Sequence, residues 1–190
     1  MISIDLKHVD ASSRRFHKTA VLLAEKASNN SSAHTMKFHP IIVNGKSRLT
    51  ALTSTDRKPD SDFYTPYIVN ASLSLEILLK WILYIEKNEW VRGHNLTTLF
   101  QQLTPASINL ANSKFKELHK ATPDYKSVKV KLKKESGITL NWSIASILSK
   151  SSLAFEQWRY AFEVKGKSCF LCYGEIYAAL LYAKSEIGSS

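Results

Sequence analysis

The chain has 190 residues, 44% of them hydrophobic and 11% aromatic, and 26 Lys and Arg against 16 Asp and Glu give it a formal net charge of +10. That length suits one well-buried domain, and the composition excludes a wholly disordered chain. The charge admits nucleic acid or another anionic partner without choosing between them, and two cysteines exclude a disulfide scaffold or a four-thiolate cluster.

The opening Met1-Ile2-Ser3-Ile4-Asp5 lacks a basic region followed by a secretory apolar run, so a cytoplasmic location is expected. Residues 14–28 are expected to form a first helix with Phe16, Ala20, Leu23 and Ala27 along one side, and Asn29-Asn30-Ser31-Ser32 supplies its stop. Between Lys37 and Asp60, Pro40, Asn44-Gly45 and Pro59 interrupt any long helix, while Ile41-Ile42-Val43 favours a short strand. Residues 1–60 are therefore expected as an irregular N-terminal elaboration of the same domain that continues through 61–190.

The strongest local signal runs from Asp62 to Asn88, where Ile68, Ala71, Leu75, Leu78, Ile82 and Ile85 recur at helical spacing and Leu79 and Trp81 widen the apolar surface. Pro66 fits its first turn. Lys80 here and Glu175 near the C-terminus interrupt the most apolar stretches, neither of which offers ~20 unbroken apolar residues, so no membrane span is expected. After the Val91-Arg92-Gly93-His94 turn, Asn95 can cap a short helix carrying Leu96, Leu99, Phe100 and Leu103, and Thr104-Pro105 opens another toward His119. In 120–139, Val128, Val130 and Leu132 alternate with Lys129, Lys131 and Lys133, which fits a lysine-rich hairpin or a mobile excursion. Helical spacing returns in Ile144, Ile147 and Leu148, then in Leu153 through Phe162, and after Lys165-Gly166-Lys167 in a last helix from Phe170 to Lys184. These segments predict an all-α, up-and-down helical bundle.

Glu76 and Lys80, and likewise Arg159 and Glu163, stand four apart on helices. Such pairs are ordinarily surface or structural features, but both lie among bulky apolar residues, where charges need partners. A four-charge network between the two helices is the sharper expectation. His94 can cap backbone groups, join that network, or transfer protons. In the last role it would activate an RNA 2′-hydroxyl while Arg159 or Arg92 stabilises phosphoryl charge.

Lys114–Lys134 holds eight lysines against Glu117 and Asp124, either a solvated loop or a phosphate-backbone surface in which Lys126, Lys129, Lys131, Lys133 and Lys134 would bind nucleic acid. Cys169 and Cys172 have redox-motif spacing but read as buried thiols in an apolar helix. His8, His17, His34, His39 and His119 are scattered, and no glycine-rich phosphate loop is present, so neither a metal nor a cofactor is expected.

Taken in order, Asn70-Ala71-Ser72-Leu73-Ser74-Leu75-Glu76-Ile77-Leu78-Leu79-Lys80, Gly93-His94-Asn95-Leu96-Thr97-Thr98-Leu99-Phe100 and Phe155-Glu156-Gln157-Trp158-Arg159-Tyr160-Ala161-Phe162-Glu163 resemble the HEPN family over roughly residues 63–185. The resemblance implies an up-and-down helical core, homodimerisation, and a role in RNA cleavage, toxin–antitoxin modules or antiviral defence. Glu76, Lys80, His94, Arg159 and Glu163 would be the family-like polar cluster. The chain departs from the family's nuclease pattern, an Arg followed after four to six residues by His: Arg159 has no later histidine, and a single residue separates Arg92 from His94. The expected function is an RNA-associated accessory or defence protein with divergent metal-independent ribonuclease activity, the alternative being a noncatalytic dimerisation or protein-interaction module.

Overall fold

A computed structural model describes residues 5–27, 36–43, 46–53, 63–121, 130, 141, 143–150 and 172–188. The helices α1 (Leu6–Ala27), α2 (Tyr64–Lys87), α3 (Leu96–Gln101), α4 (Pro105–Ala121), α5 (Ile144–Lys150) and α6 (Tyr173–Gly188) form an all-α, up-and-down bundle. Strands β1 (Met36–Val43) and β2 (Lys46–Thr53) add an antiparallel hairpin, closed by Val43 opposite Lys46.

Helix α1 begins eight residues before its expected start. Asp5 caps it, its Oδ1 accepting from Lys7 N at 2.9 Å and His8 N at 3.4 Å. Burial along α1 falls on Ser13, Ala20 and Ala24, small residues that let it lie close to α2, its principal neighbour. Ser13 Oγ donates to Ser74 O at 3.0 Å, so the hydroxyl enters the interface satisfied. The stretch expected to be irregular thus carries a 22-residue helix and a hairpin, and β1 extends the short strand read at Ile41–Val43.

Helix α2 is buried nearly all round: Ile68, Ala71, Leu75, Leu78, Leu79, Ile82 and Leu83 are all core residues. A helix apolar on every side needs neighbours on every side, and α1, α3 and α6 supply them. Pro66–Lys87 is long and apolar enough to cross a membrane by length and composition, but 67% of its most apolar window is buried inside the bundle, as in a core helix. The helix ends at Asn88, whose left-handed φ of 52° is one that asparagine tolerates and whose N–H bonds Tyr84 O.

The caps read from the sequence are present: Asn95 accepts from Thr98 N at 3.0 Å, and Thr104 Oγ1 from Ser107 N at 3.4 Å. Glu86, from the last turn of α2, adds a carboxylate to the start of α4, accepting from Thr104 N at 3.0 Å, from Thr104 Oγ1 at 2.7 Å and from Ser107 Oγ. Negative charge suits a helix N-terminus, and the bonds tie the α3–α4 corner to α2. Phe115 and Ala111 of α4 and Ile176, Ala179, Leu180 and Ala183 of α6 complete the core where those helices meet, while Ile144, Ile147 and Leu148 of α5 close it beside α3. Cys172, just before α6, is buried; Cys169, the lysine-rich 122–129 and 131–134, and 151–171 lie outside the described residues.

Glu86→Ala should leave the Thr104 and Ser107 donors short of an acceptor and cost about 1–2 kcal/mol, the range for a lost cap or charged hydrogen bond. Urea melts check it. A midpoint unchanged from the parent protein would show that the corner stands without Glu86.

Candidate functional site

Glu76 and Lys80 project from the middle of α2, one turn apart, so the helix itself aligns them. Lys80 Nζ donates to Glu76 Oε1 at 2.8 Å, with the two side chains only 10% and 5% exposed. The same oxygen takes a second bond, from His94 Nδ1 at 2.9 Å, and the histidine side chain is 51% exposed. Because a carboxylate only accepts, the imidazole carries its proton on Nδ1, which leaves Nε2 the basic nitrogen of the neutral ring. The cluster therefore runs from a buried ammonium through a buried carboxylate to an imidazole at the surface.

The turn between α2 and α3 delivers His94 to this place. Gly93 adopts φ +97°, a left-handed conformation that glycine accepts without strain, and Asn95 immediately caps α3. Arg92 is exposed on the same turn. Glu76 Oε2 is buried and, among the described residues, has no hydrogen-bond partner. Arg159 and Glu163, expected to complete a four-charge network, lie outside the described residues, as do Lys126, Lys129, Lys131, Lys133 and Lys134. Among the described residues no group of three His, Cys, Asp or Glu could hold a metal ion.

A second polar cluster joins α1, α2 and α6. His17 Nδ1 lies 2.9 Å from the Tyr173 hydroxyl, which lies 2.6 Å from Ser74 Oγ, and the His17 ring stacks on Tyr177 with centroids 3.9 Å apart and planes within 2°. Burial holds the His17 pKa below its ordinary 6.5. Burial also raises both tyrosines above 10.0. Nearby, Lys184 Nζ sits 3.5 Å from the centre of the Trp81 ring and 3.4 Å from Asp10 Oδ1, its pKa lowered by burial against the pull of Asp10. Sequence reading missed this cluster by treating His17 as one of several scattered histidines. The available signal was spacing: Ser13 and His17 are one turn apart on one helix, Tyr173 and Tyr177 on another.

Fold and site together define an all-α bundle with a buried Glu–Lys pair that surfaces through a histidine. Comparison with protein-family models, with curated proteins and with solved structures finds no match.

Removing one partner of a buried ion pair leaves an uncompensated charge, so Lys80→Met should cost about 3–5 kcal/mol. Combined with Glu76→Gln the loss should fall short of the sum of the single losses by more than ~1 kcal/mol, whereas additivity within ~0.5 kcal/mol in denaturant melts would show the two side chains to be uncoupled.

The second cluster sets a pH dependence. With its folded pKa depressed, His17 is protonated first in the unfolded chain, so its contribution is complete above about pH 6.5 and is lost as pH falls toward the folded value. Denaturant midpoints of wild type should therefore drop more steeply as pH falls below about 6.5 than those of His17→Phe. Parallel acid limbs would contradict the assignment.

Proposed function

We propose that this protein is an RNA-associated accessory or defence protein in which His94 serves as the acid–base group of a divergent, metal-independent ribonuclease. The observation that carries the reading is the bond from His94 Nδ1 to the buried Glu76 carboxylate, with half of the histidine side chain open to solvent. A carboxylate behind an imidazole fixes its tautomer and orientation and favours the protonated form as it develops. Such a base can take the proton of a ribose 2′-hydroxyl, whose oxygen attacks the neighbouring phosphorus; the 5′-oxygen of the next nucleotide leaves with a proton, and a 2′,3′-cyclic phosphate remains. Arg92, exposed on the same turn, supplies positive charge for the phosphoryl oxygens.

Arg159 and Glu163 extend the polar cluster in this reading, and Lys126, Lys129, Lys131, Lys133 and Lys134 hold the RNA backbone, with a homodimer in the cytoplasm as the working unit. The HEPN-like order of the segments around Glu76, His94 and Arg159 supports it from the sequence side. A noncatalytic dimerisation or protein-interaction module is the second reading. The near-complete burial of Glu76 and Lys80 favours it, because a charge pair inside a core can serve architecture alone.

Purified protein incubated with mixed-sequence RNA, with and without chelator, separates the two. Chelator-insensitive cleavage that ends in 2′,3′-cyclic phosphate and falls by about 100-fold or more in a folded His94→Ala variant is expected of a general base. Intact RNA across the pH range in which histidine titrates leaves the interaction module, which sedimentation of the purified chain would then reveal as a dimer.

A further inference from the structure

The His17 cluster lies away from the His94 site. Ser74 and Glu76 are two residues apart on α2, about 200° around the helix axis, so the two clusters flank opposite sides of the same turn. The hydrogen bonds of the His17 cluster run in one direction only. Ser74 Oγ donates to Ala71 O at 2.9 Å and has no second hydrogen to give. The 2.6 Å contact with Tyr173 must then be made by the tyrosine hydrogen, which leaves the Tyr173 oxygen to accept from His17 Nδ1–H. All three contacts are satisfied only in this order, and it leaves His17 Nε2 as a hydrogen-bond acceptor. Among the described residues nothing bonds that nitrogen.

Arg14 stands one turn before His17 on α1, where residues three apart share a face. Its Nε donates to Asp10 Oδ2 at 2.9 Å, which orients the guanidinium, and its side chain is 57% exposed. Tyr177, stacked under His17, also feels the charge of Arg14, so the two groups border one ring. Asp10 is a carboxylate in this neighbourhood, but Arg14 and Lys184 both hold it, and exposed Lys18 adds a further positive charge on the next turn. The surface thus presents oriented N–H donors and excess positive charge beside one fixed, uncharged acceptor.

We propose that Arg14 and His17 form a binding site for hydrogen phosphate, free or as the singly ionised end of a phosphate ester. The terminal N–H groups of Arg14 bind two phosphate oxygens, and the P–O–H hydrogen bonds His17 Nε2. An oxyanion without a hydrogen, such as sulfate, meets the nitrogen lone pair and is repelled. This selectivity distinguishes the site from a patch of basic residues, which would take both ions alike.

The test is titration calorimetry of the full chain with inorganic phosphate at about pH 7.5, where His17 is uncharged and phosphate still bears a hydrogen. Saturable binding of phosphate at least about tenfold tighter than sulfate is expected, as is a loss of about tenfold or more in Arg14→Gln and in His17→Phe. Arg14 is exposed, so its variant tests the site even if the His17 variant fails to fold. Glycerol phosphate in a parallel titration names the source once its affinity is corrected for the small fraction still singly ionised at this pH: corrected binding equal to that of phosphate points to an ester, weaker binding to the free ion. Equal binding of sulfate, unchanged phosphate binding in folded Arg14→Gln, or no binding at millimolar phosphate would each overturn the proposal.

Discussion

Glu76 and Lys80 are held out of water in the middle of a helix whose other faces are almost all apolar, and the rest of the bundle follows from covering them. Charges in such a place need each other, and the one-turn spacing on α2 brings them together without closing any loop. Helix α2 must then be surrounded. Small residues of α1 let that helix approach closely on one side, α6 supplies Ile176, Ala179, Leu180 and Ala183, and α3 brings Leu96, Leu99 and Phe100. The pair costs desolvation wherever it is incompletely satisfied, and among the described residues Glu76 Oε2 is the carboxylate oxygen left without a hydrogen bond.

His94 reaches Glu76 because the chain leaving α2 is constrained at successive points. Asn88 stops the helix in a left-handed conformation, Gly93 adopts a second one, and Asn95 starts α3 with its side chain on Thr98 N. Beyond α3, Glu86 binds Thr104 and Ser107 and so fastens the far end of the excursion back to the helix it left. A histidine on a turn fixed at both ends keeps its distance from the carboxylate without being buried itself. The exposure of the ring and the burial of its partner are therefore one feature of the turn.

Much of the fold was legible from the chain. The α2 periodicity, the Asn95 and Thr104 caps and the apolar face of Ile144, Ile147 and Leu148 all rest on local patterns, and local patterns decide those elements. The first half of α1 was not legible: Lys7, His8, Ser12 and Ser13 show no apolar spacing, and what stabilises them is the Asp5 cap and the distant bond from Ser13 to Ser74. The hairpin was missed for a related reason. Asn44-Gly45 is a favoured two-residue turn pair, but Pro40 and the run Ile41-Ile42-Val43 hide the alternation that would have flagged the flanking strands. In the site, the spacing of Glu76 and Lys80 was readable and their burial was not, since burial depends on helices far along the chain.

The two polar clusters beside α2 solve the burial problem by different physics, and this bears on what each can do. At Glu76 an ion pair is enclosed and a histidine carries the arrangement outward, so charge formed on the imidazole is countered by a carboxylate already in place. At Ser74 the groups are uncharged hydroxyls and a ring whose protonation burial opposes, so each hydrogen bond holds position and direction without fixed charge. Proton uptake is thus disfavoured at His17 by its burial, whereas His94 stands half exposed against a carboxylate. An imidazole backed by a carboxylate suits chemistry in which charge appears and disappears, whereas one held neutral against tyrosine suits recognition of a partner's hydrogen. The same turn of α2 supports both because its two sides are covered by helices of unlike character: α1 and α6 bring Ser13, His17, Tyr173 and Tyr177 to one, and the α2–α3 turn brings His94 to the other.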